Sequence, residues 1–203
     1  NKLNPTINPI VVPYGVEIPE IRSMNNKYFP TLGFLGKLNK NKGIEDLVDV
    51  YEEILKKENF HDLEPALLIG GIGSESYIKD ISKKINNNNL KFLGYVEDRH
   101  NFFSSLDVFI FPSYSEGLGL VLLEAMSHGV LCITRNVAPM NSIIKHGVNG
   151  FLFNDNKELL ELIENALKLN NLEIDNLVKS SLETIEKSYS IIQMYSSIEK
   201  AYN

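Results

Sequence analysis

The chain has 203 residues, of which 43% are hydrophobic and 23% are charged, and its formal net charge is −6. That length is enough for one domain to bury a core without disulfides or a structural metal. The negative charge argues against a general nucleic-acid binder, because such proteins need a basic face. The apolar runs are too short to span a bilayer. The single cysteine, Cys132, lies in the apolar run "GVLCIT", which predicts a buried thiol in a reducing, cytoplasmic setting.

Short apolar runs alternate with helical patterns along the chain. The predicted strands are, in order, "PIVVP", "TLGFLG", "ALLIGG", "KFLG", "DVFIFP" and "GVLCIT". The predicted helices are Ile44–Lys57, Tyr77–Ile85, Asp98–Ser105, Leu118–His128, Lys157–Leu169, Leu172–Lys187 and Ile191–Tyr202. Nearly continuous apolar strands that alternate with helices are typical of a parallel sheet covered on both faces. The sequence therefore predicts a doubly wound α/β domain, whose sheet ends before a helical tail at about residues 156–203.

The segment "FPSYSEGLGLVLLEAMSHG", from Phe111 to Gly129, joins a predicted strand to a predicted helix through a turn rich in Ser and Gly. At the carboxyl ends of parallel strands, a helix start presents free N–H groups and a positive dipole end, which suits a phosphate. Gly117 and Gly119 lack the side chains that would keep a phosphate away from those groups. We therefore predict a phosphate-binding turn before a helix that starts at about Leu118.

Two carboxylates flank this turn. Glu116 precedes the helix, and Glu124 lies inside it, about 9 Å along the axis from Leu118 at roughly 1.5 Å per residue. That distance resembles the span from a sugar ring across a diphosphate to its ribose, so one acid could serve each end. The alternatives are a charge that complements the helix dipole for Glu116 and a solvated position for Glu124. Because Glu124 stands in the apolar run "LVLLEAM", where an unpaired carboxylate is costly, a functional role is favoured for it.

An earlier strand-turn-helix segment, "FLGKLNKNKGIEDLV", carries Gly36 and then two cations, Lys37 and Lys42, which can neutralise a diphosphate. The alternative interpretation is a solvated loop of Lys and Asn residues. A third turn, "LLIGGIGSES", lacks the last glycine and the distal acid of a dinucleotide fingerprint, so it is a weak signal for NAD. The two segments with charged turns therefore remain the candidates for an anionic ligand.

The sequence offers no support for a metal site. His61, His100, His128 and His146 have no ligand spacing to each other or to Cys132. An Asp-x-Asp pair that could hold Mg²⁺ against a diphosphate is missing from the sequence. We therefore predict that no metal and no cofactor is needed, and that lysines and helix dipoles neutralise the ligand.

Taken in order, these segments resemble the donor-binding domain of retaining family-4 glycosyltransferases, whose two Rossmann-like domains form the GT-B fold. The resemblance runs from "VVPYGVE" through "FLGKLNKNKG", "LLIGGIGSE", "KFLGYVED" and "DVFIFPSYSEGLGLVLLEAMSHGV" to "HGVNGFLF", which ends at Phe153. The final "YSIIQMYSSIEKAY" looks like the closing helix of that family. The spacing of Glu116 and Glu124 inside "SEGLGLVLLEA" is highly specific.

The resemblance implies a role for each matching position. Lys37 and Lys42 match the basic pair that grips the donor diphosphate and stabilises it as it leaves. Glu116 matches the acid that faces the transferred sugar, and Glu124 the acid that binds the ribose hydroxyls. The backbone from Gly117 to Leu120 caps the diphosphate, and the turn at Tyr95 and Val96 matches the segment whose backbone reads the base. The full predicted donor site is Gly36, Lys37, Lys42, Tyr95, Val96, Glu116, Gly117, Leu118, Gly119, Leu120 and Glu124, with Glu116, Lys42 and Lys37 as its catalytic members.

Two positions depart from the family pattern. The first basic residue of the family is usually Arg, whereas Lys37 supplies a point charge without a bidentate fork. After "ITRNVAP" the family commonly has Gly-Gly and then Glu, where this chain has Ala138-Pro139 and Ser142. We therefore expect an atypical sugar pocket.

The implied activity is transfer of a sugar from a nucleotide diphosphate donor, with UDP favoured, to an acceptor with retention of anomeric configuration. A hexosyl- or N-acetylhexosaminyl-type enzyme of polysaccharide, O-antigen or glycolipid synthesis is expected. An N-terminal domain absent from this chain would bind the acceptor, so the chain alone should bind the donor without transferring it. The resemblance implies no nucleic-acid partner. It implies a cytoplasmic protein that reaches the inner face of the membrane only through the missing domain.

Two other interpretations stay open. One is a sugar-nucleotide epimerase or a phosphorylase built on the same two-domain fold, and net transfer to an acceptor by the full-length protein would separate it from a transferase. The other is a non-catalytic nucleotide-binding module. The joint presence of Glu116, Glu124 and both lysines disfavours that second interpretation.

Overall fold

The computed structural model describes residues 12, 14–20, 30–60, 63–85 and 87–202. Except for Val12, the predicted strand "PIVVP" lies outside these ranges. The described strands are β1 (Thr31–Leu35), β2 (Ala66–Gly70), β3 (Leu90–Gly94), β4 (Val108–Phe111), β5 (Leu131–Arg135) and β6 (Phe151–Phe153). The described α-helices are α1 (Ile44–Leu55), α2 (Glu75–Ser82), α3 (Arg99–Ser104), α4 (Leu120–Ser127), α5 (Met140–Ile143), α6 (Asn156–Ala166), α7 (Asn171–Ser188) and α8 (Ile191–Tyr202).

All six described strands run parallel, in the order β3-β2-β1-β4-β5-β6, with helices on both faces. This arrangement confirms the predicted doubly wound fold. The strand order reverses between β1 and β4, so the loops that follow these two strands lead to opposite faces and leave a crevice between them. Ligands of doubly wound sheets bind in that crevice, at the carboxyl ends of the strands.

The structure corrects the start of the helix at the predicted site and adds one strand before the helical tail. Helix α4 begins at Leu120 instead of Leu118, because Gly119 adopts a left-handed conformation (φ 71°, ψ 36°) as its N-cap. The sheet also has an edge strand that was not predicted, since the three residues after Gly150 form β6 and pair with β5. A strand of three residues is too short to show an alternating or continuous apolar pattern. The helical tail begins after this edge strand, at Asn156, which agrees with the predicted start.

Helix α2 also begins earlier than its predicted start at Tyr77. Ser74 caps the helix by accepting a hydrogen bond from the Tyr77 backbone N–H at 3.3 Å, so the first turn starts at Glu75. A serine at this position satisfies one of the N–H groups that a helix start leaves without a partner. The local capping residue, and not the apolar pattern, therefore determines where α2 begins.

The central strands are the most deeply buried. All residues of β4 and β5 are buried, and Cys132 on β5 has no exposed surface. Burial raises the pKa of the Cys132 thiol, so the thiol stays protonated, and the predicted buried position is confirmed. Helix α6 packs on α1 and α7 packs on α4, whereas α8 buries none of its residues. None of the helices in the described ranges combines the length and the apolar character needed to cross a bilayer.

Gly43 brings the loop after β1 against the loop after β4. It follows a 3₁₀ turn at Lys40–Lys42 and has a left-handed conformation (φ 65°, ψ 24°). A Cβ atom at this position would lie 2.3 Å from the carbonyl oxygen of Pro112, which is shorter than any normal contact. Only glycine allows this approach of the two loops.

We expect Gly43→Ala to lower the free energy of unfolding by at least about 1 kcal/mol, because alanine is strained at positive φ and meets the Pro112 carbonyl. Urea denaturation measures this change. Gly117→Ala is the matched control, since an added Cβ there meets no atom within 4 Å. Equal stability losses in the two variants would contradict the close contact between the loops.

Candidate functional site

Two loops form the walls of the crevice at the switch point. One follows β1 and runs from Gly36 to Gly43, and the other follows β4 and runs from Pro112 to Gly119. The Tyr114 N–H donates to the carbonyl oxygen of Asn41 at 2.9 Å, so the two loops are joined through their backbones. This hydrogen bond fixes the distance between the two loops that form the walls of the crevice.

Lys42 and Glu116 meet across the crevice. The Lys42 Nζ atom lies 2.5 Å from Glu116 Oε1, and the same oxygen accepts a hydrogen bond at 2.7 Å from the hydroxyl of Ser113, which is fully buried. The two charged side chains are only 20% and 13% exposed, so little water screens their attraction. Two residues predicted to act on one ligand are thus in direct contact, and each fixes the position of the other.

A buried arginine supports the loop after β4 from beneath. Arg135 Nε donates to the Pro112 carbonyl at 2.9 Å, and its Nη2 atom forms an ion pair with Asp46 on α1. The guanidinium group also stacks over the ring of Tyr114, 4.1 Å from its centroid. The Tyr114 hydroxyl donates to Asp46 at 2.5 Å, and this bond is the main cause of the raised pKa of Tyr114. Sequence reasoning missed this support, because Asp46 and Arg135 lie far apart in the chain.

The start of α4 faces the crevice next to this ion pair. Among the described residues, the N–H groups of Leu120 and Val121 donate no hydrogen bond, so they are available to an anion. Leu118 is exposed, and an added Cβ at Gly117 would meet open space. A Cβ at Gly119 would lie 3.6 Å from Met140 Sδ. The approach to the helix start is thus open on the side of Gly117.

Glu124 has an ion partner that the sequence did not indicate. Its carboxylate lies on α4 and pairs with the guanidinium group of Arg99, the first residue of α3. Burial raises the pKa of Glu124, and the Arg99 charge and hydrogen bond oppose that rise. An acid in this apolar helix was expected to need a compensating charge, and Arg99 on the neighbouring helix α3 supplies it.

The predicted base-reading turn lies at the carboxyl end of β3, two strands away from β1. Tyr95 is 74% exposed there, while Val96 packs over Gly70, where an added Cβ would lie 2.6 Å from Val96 Cγ2. Arg99 follows this turn directly and pairs with Glu124. The turn and Glu124 are therefore linked through Arg99, and Lys42 and Glu116 form a separate ion pair.

Lys37 stands apart from the other predicted residues. Its neighbour Gly36 donates its N–H to the Gly70 carbonyl at 3.1 Å, which holds the loop after β1 against the loop after β2. Lys37 is exposed and lines a cavity of about 410 Å³ together with Lys40 and Tyr77. The two lysines of the proposed pair thus differ, since Lys42 is anchored by Glu116 and Lys37 is exposed to solvent.

The segment after β5 in which this chain departs from the family pattern, residues 138–142, lies next to the crevice. Met140, the first residue of α5, contacts the turn at Gly119, whereas Ser142 is exposed and lines a cavity of about 450 Å³ against α7. Ser142 therefore contributes a small hydroxyl to the rim of a groove at the position where the family commonly has a carboxylate.

Two histidines without ligand spacing in the sequence meet in space. His100 Nδ1 lies 3.3 Å from His128 Nε2, and His128 Nδ1 lies 2.7 Å from the Glu124 carbonyl oxygen. Burial lowers the pKa of His128, the hydrogen bond to that carbonyl opposes the shift, and His100 and Arg99 lower it further. In the part of the chain that the structure describes, no three His, Cys, Asp or Glu residues are grouped to hold a metal ion.

Comparison with known proteins assigns the class that this crevice and fold define. The family described as "Glycosyl transferases group 1" matches residues 18–180, which is most of the chain. The chain belongs to this family, and the resemblance stated from the sequence is confirmed.

Three known proteins illustrate the similarity. The chain is 28% identical over 176 residues to the capsular polysaccharide biosynthesis glycosyltransferase CapM of Staphylococcus aureus, covering 85% of this chain and 45% of CapM. The crystal structure of Anabaena Alr3699/HepE in complex with UDP and glucose has a TM-score of 0.77 at 19% identity, over 86% of this chain and 48% of that one. The C-terminal domain of the group 1 protein LpcC from Francisella tularensis has a TM-score of 0.71 at 19% identity, over 89% of this chain and 97% of that one.

The chain spans about half the length of the curated relatives it matches. The two structural similarities lie below 25% identity and therefore support the fold alone. Together they confirm that the chain has the architecture of a domain found in GT-B glycosyltransferases.

We expect the stability of the chain to fall with pH below about 6.5, the ordinary pKa of histidine. Since the pKa of His128 is lowered in the folded state, the unfolded chain takes up a proton that the folded chain resists, and the free energy of unfolding decreases as the pH falls towards the folded-state value. His128→Gln should flatten this dependence in denaturant titrations between about pH 5.5 and pH 7.5, roughly one unit on either side of the ordinary pKa of histidine. An unchanged slope in His128→Gln would contradict this assignment.

Proposed function

We propose that this chain is the donor-binding domain of a retaining glycosyltransferase that uses a UDP-sugar. The observation that carries the proposal is the meeting of Lys42 and Glu116 at the switch point, beside the free N–H groups at the start of α4. A cation, an anion and a helix start within one crevice provide a partner for each part of a sugar diphosphate. HepE, which has the same fold, was crystallised with UDP and glucose, and this favours UDP as the nucleotide.

The diphosphate would lie between Lys42 and the start of α4. Lys42 is already held by Glu116, so little side-chain entropy is lost when its ammonium group also contacts a phosphate oxygen. The N–H groups of Leu120 and Val121 and the positive end of the α4 dipole add attraction from the other side. Lys37, at the exposed edge of the loop after β1, would supply a second and weaker contact.

The two acids would bind the two ends of the donor. Glu116 faces the crevice beside Lys42, where its second carboxylate oxygen can accept a hydroxyl of the transferred sugar. Glu124 stands further along α4, towards the turn that follows β3, and would accept the ribose hydroxyls. The backbone at Tyr95 and Val96 would then contact the base.

The chemistry follows from the charges in the crevice. As the bond to the anomeric carbon breaks, negative charge grows on the departing diphosphate, and Lys42, Lys37 and the α4 start stabilise that charge. We infer that the acceptor attacks from the face that the diphosphate leaves, which gives retention, and that Glu116 positions the donor without acting as a nucleophile. No metal and no cofactor is needed, because these cations and the helix dipole supply the positive charge.

We infer that the full-length protein transfers a hexosyl or N-acetylhexosaminyl group in polysaccharide, O-antigen or glycolipid synthesis. CapM, a relative named for capsular polysaccharide biosynthesis, supports this substrate class. The half-length match to such relatives supports a preceding domain that binds the sugar, glycolipid or polysaccharide acceptor and provides any contact with the membrane. The chain alone would bind the donor without transferring the sugar.

Lys42→Ala should weaken UDP binding about ten- to a hundredfold, because a charge-assisted bond to the diphosphate is lost and Glu116 is left buried without its cation. Titration calorimetry of the chain in EDTA and again in Mg²⁺ measures the affinity, which we expect to be independent of the metal. Uridine, which lacks phosphates, should bind both proteins equally. Lys57→Ala, which breaks the ion pair with Glu164 on α6, is the control. Unchanged UDP affinity in Lys42→Ala would refute the phosphate contact.

Substitutions of Glu124 and Glu116 should affect the binding of UDP and UDP-glucose differently. Glu124→Gln is expected to weaken UDP and UDP-glucose alike, since both carry the ribose, whereas Glu116→Gln should weaken mainly UDP-glucose. Calorimetry of both variants with both ligands measures the four affinities. Equal losses of UDP affinity in the two variants would contradict this division of roles. Failure of the unaltered chain to bind either ligand would overturn the proposed function itself.

A further inference from the structure

Arg99 is the partner of the acid to which the proposed function gives the ribose. It is the first residue of α3, and Asp98, the N-cap of that helix, accepts a hydrogen bond from the Asn101 N–H at 2.9 Å. The cap determines where α3 begins and therefore where the Arg99 side chain leaves the backbone. From there its Nη2 atom reaches Oε2 of Glu124 on α4.

We propose that Arg99 is a positioning residue for nucleotide recognition, which holds the Glu124 carboxylate ionised and oriented so that its other oxygen accepts the ribose hydroxyls. The inference rests on the proposed function and deepens it, because it adds a residue outside the predicted donor site. Arg99 pairs with Glu124 in the structure and acts on the ligand through it.

The geometry leaves one carboxylate oxygen available. Arg99 contacts Oε2, and within the described residues no hydrogen bond reaches Oε1 of Glu124. A carboxylate held on one side by a guanidinium group keeps its remaining lone pairs in a fixed direction. The free oxygen is therefore preorganised for a ligand that donates hydrogen bonds, and ribose hydroxyls are such donors.

The surroundings of Glu124 explain why it needs a partner. Leu122, Leu123, Ala125 and Met126 beside it on α4 are fully buried, and this apolar setting raises the pKa of the carboxyl group. The charged or titratable groups near it are Arg99 and His100 from α3 and His128 from the end of α4. The pKa of His128 is lowered, so at neutral pH Arg99 supplies the compensating positive charge.

A purely structural role does not explain the ion pair between Arg99 and Glu124 well. Both side chains are partly solvated, with 45% of Arg99 and 30% of Glu124 exposed, and exposed ion pairs contribute little to the stability of a fold. The pair lies beside Tyr95 and Val96, at the end of the crevice assigned to the nucleoside. Its position therefore fits recognition of the nucleotide better than support of the core.

The test is the pH dependence of UDP affinity in the 203-residue chain. An ionised Glu124 binds the ribose, so the affinity falls as the pH drops through the pKa of this group. Arg99→Met removes the group that lowers that pKa, so the fall should occur at higher pH, and UDP should bind about three- to tenfold more weakly near neutral pH. Arg99→Lys should restore most of the affinity. Lys91→Met removes an exposed cation from β3 and should leave the profile unchanged.

Two further measurements assign the effect to Glu124. Arg99→Met should cause no additional loss in a Glu124→Gln background, or with a UDP analogue that lacks both ribose hydroxyls. In the ligand-free protein, carbon-13 NMR titration should give Glu124 a higher pKa in Arg99→Met than in the unaltered chain. An unshifted Glu124 titration, or an equal loss of affinity for the hydroxyl-free analogue, would overturn the proposal even if UDP binding itself is confirmed.

Discussion

The pairing of β1 with β4 is the constraint on which the rest of this structure depends. Leu32 lies opposite Val108 and Gly33 opposite Phe109, at the centre of a sheet whose other strands are added outward on each side. Because the strand order reverses at this pair, the two following loops diverge over opposite faces and leave a crevice between them. The glycine at position 43 and the ion pair between Lys42 and Glu116 then set the width of that crevice.

Much of this arrangement could be predicted from the sequence, because it depends on local patterns. Apolar runs of four to six residues that alternate with helical periods define a parallel sheet, and the two acids eight positions apart mark the turn and helix after β4. The three-residue strand β6 carries too little pattern to be recognised. The start of α4 was predicted two residues early, because the backbone conformation of Gly119 cannot be read from its neighbours.

The partners of the site residues could not be predicted, since they depend on contacts between distant parts of the chain. Arg135 lies 89 positions from Asp46, and Arg99 lies 25 positions from Glu124. A single sequence contains no signal that links such pairs. Their common feature is charge compensation, because the carboxylates at Glu116, Glu124 and Asp46 each contact a cation within the protein. Each of these acids therefore has a cation beside it instead of standing unpaired in a partly desolvated site.

The contact between Lys42 and Glu116 also has a consequence for the order of events during folding. These residues are separated by 74 positions, and β4, the strand before Glu116, follows β2 and β3 in the chain although it pairs with β1. A chain that has emerged only as far as β3 during synthesis has one edge of β1 uncovered and lacks the helix start of α4. The crevice therefore forms only when the non-local pairing of β1 with β4 is made, and its presence reports that pairing.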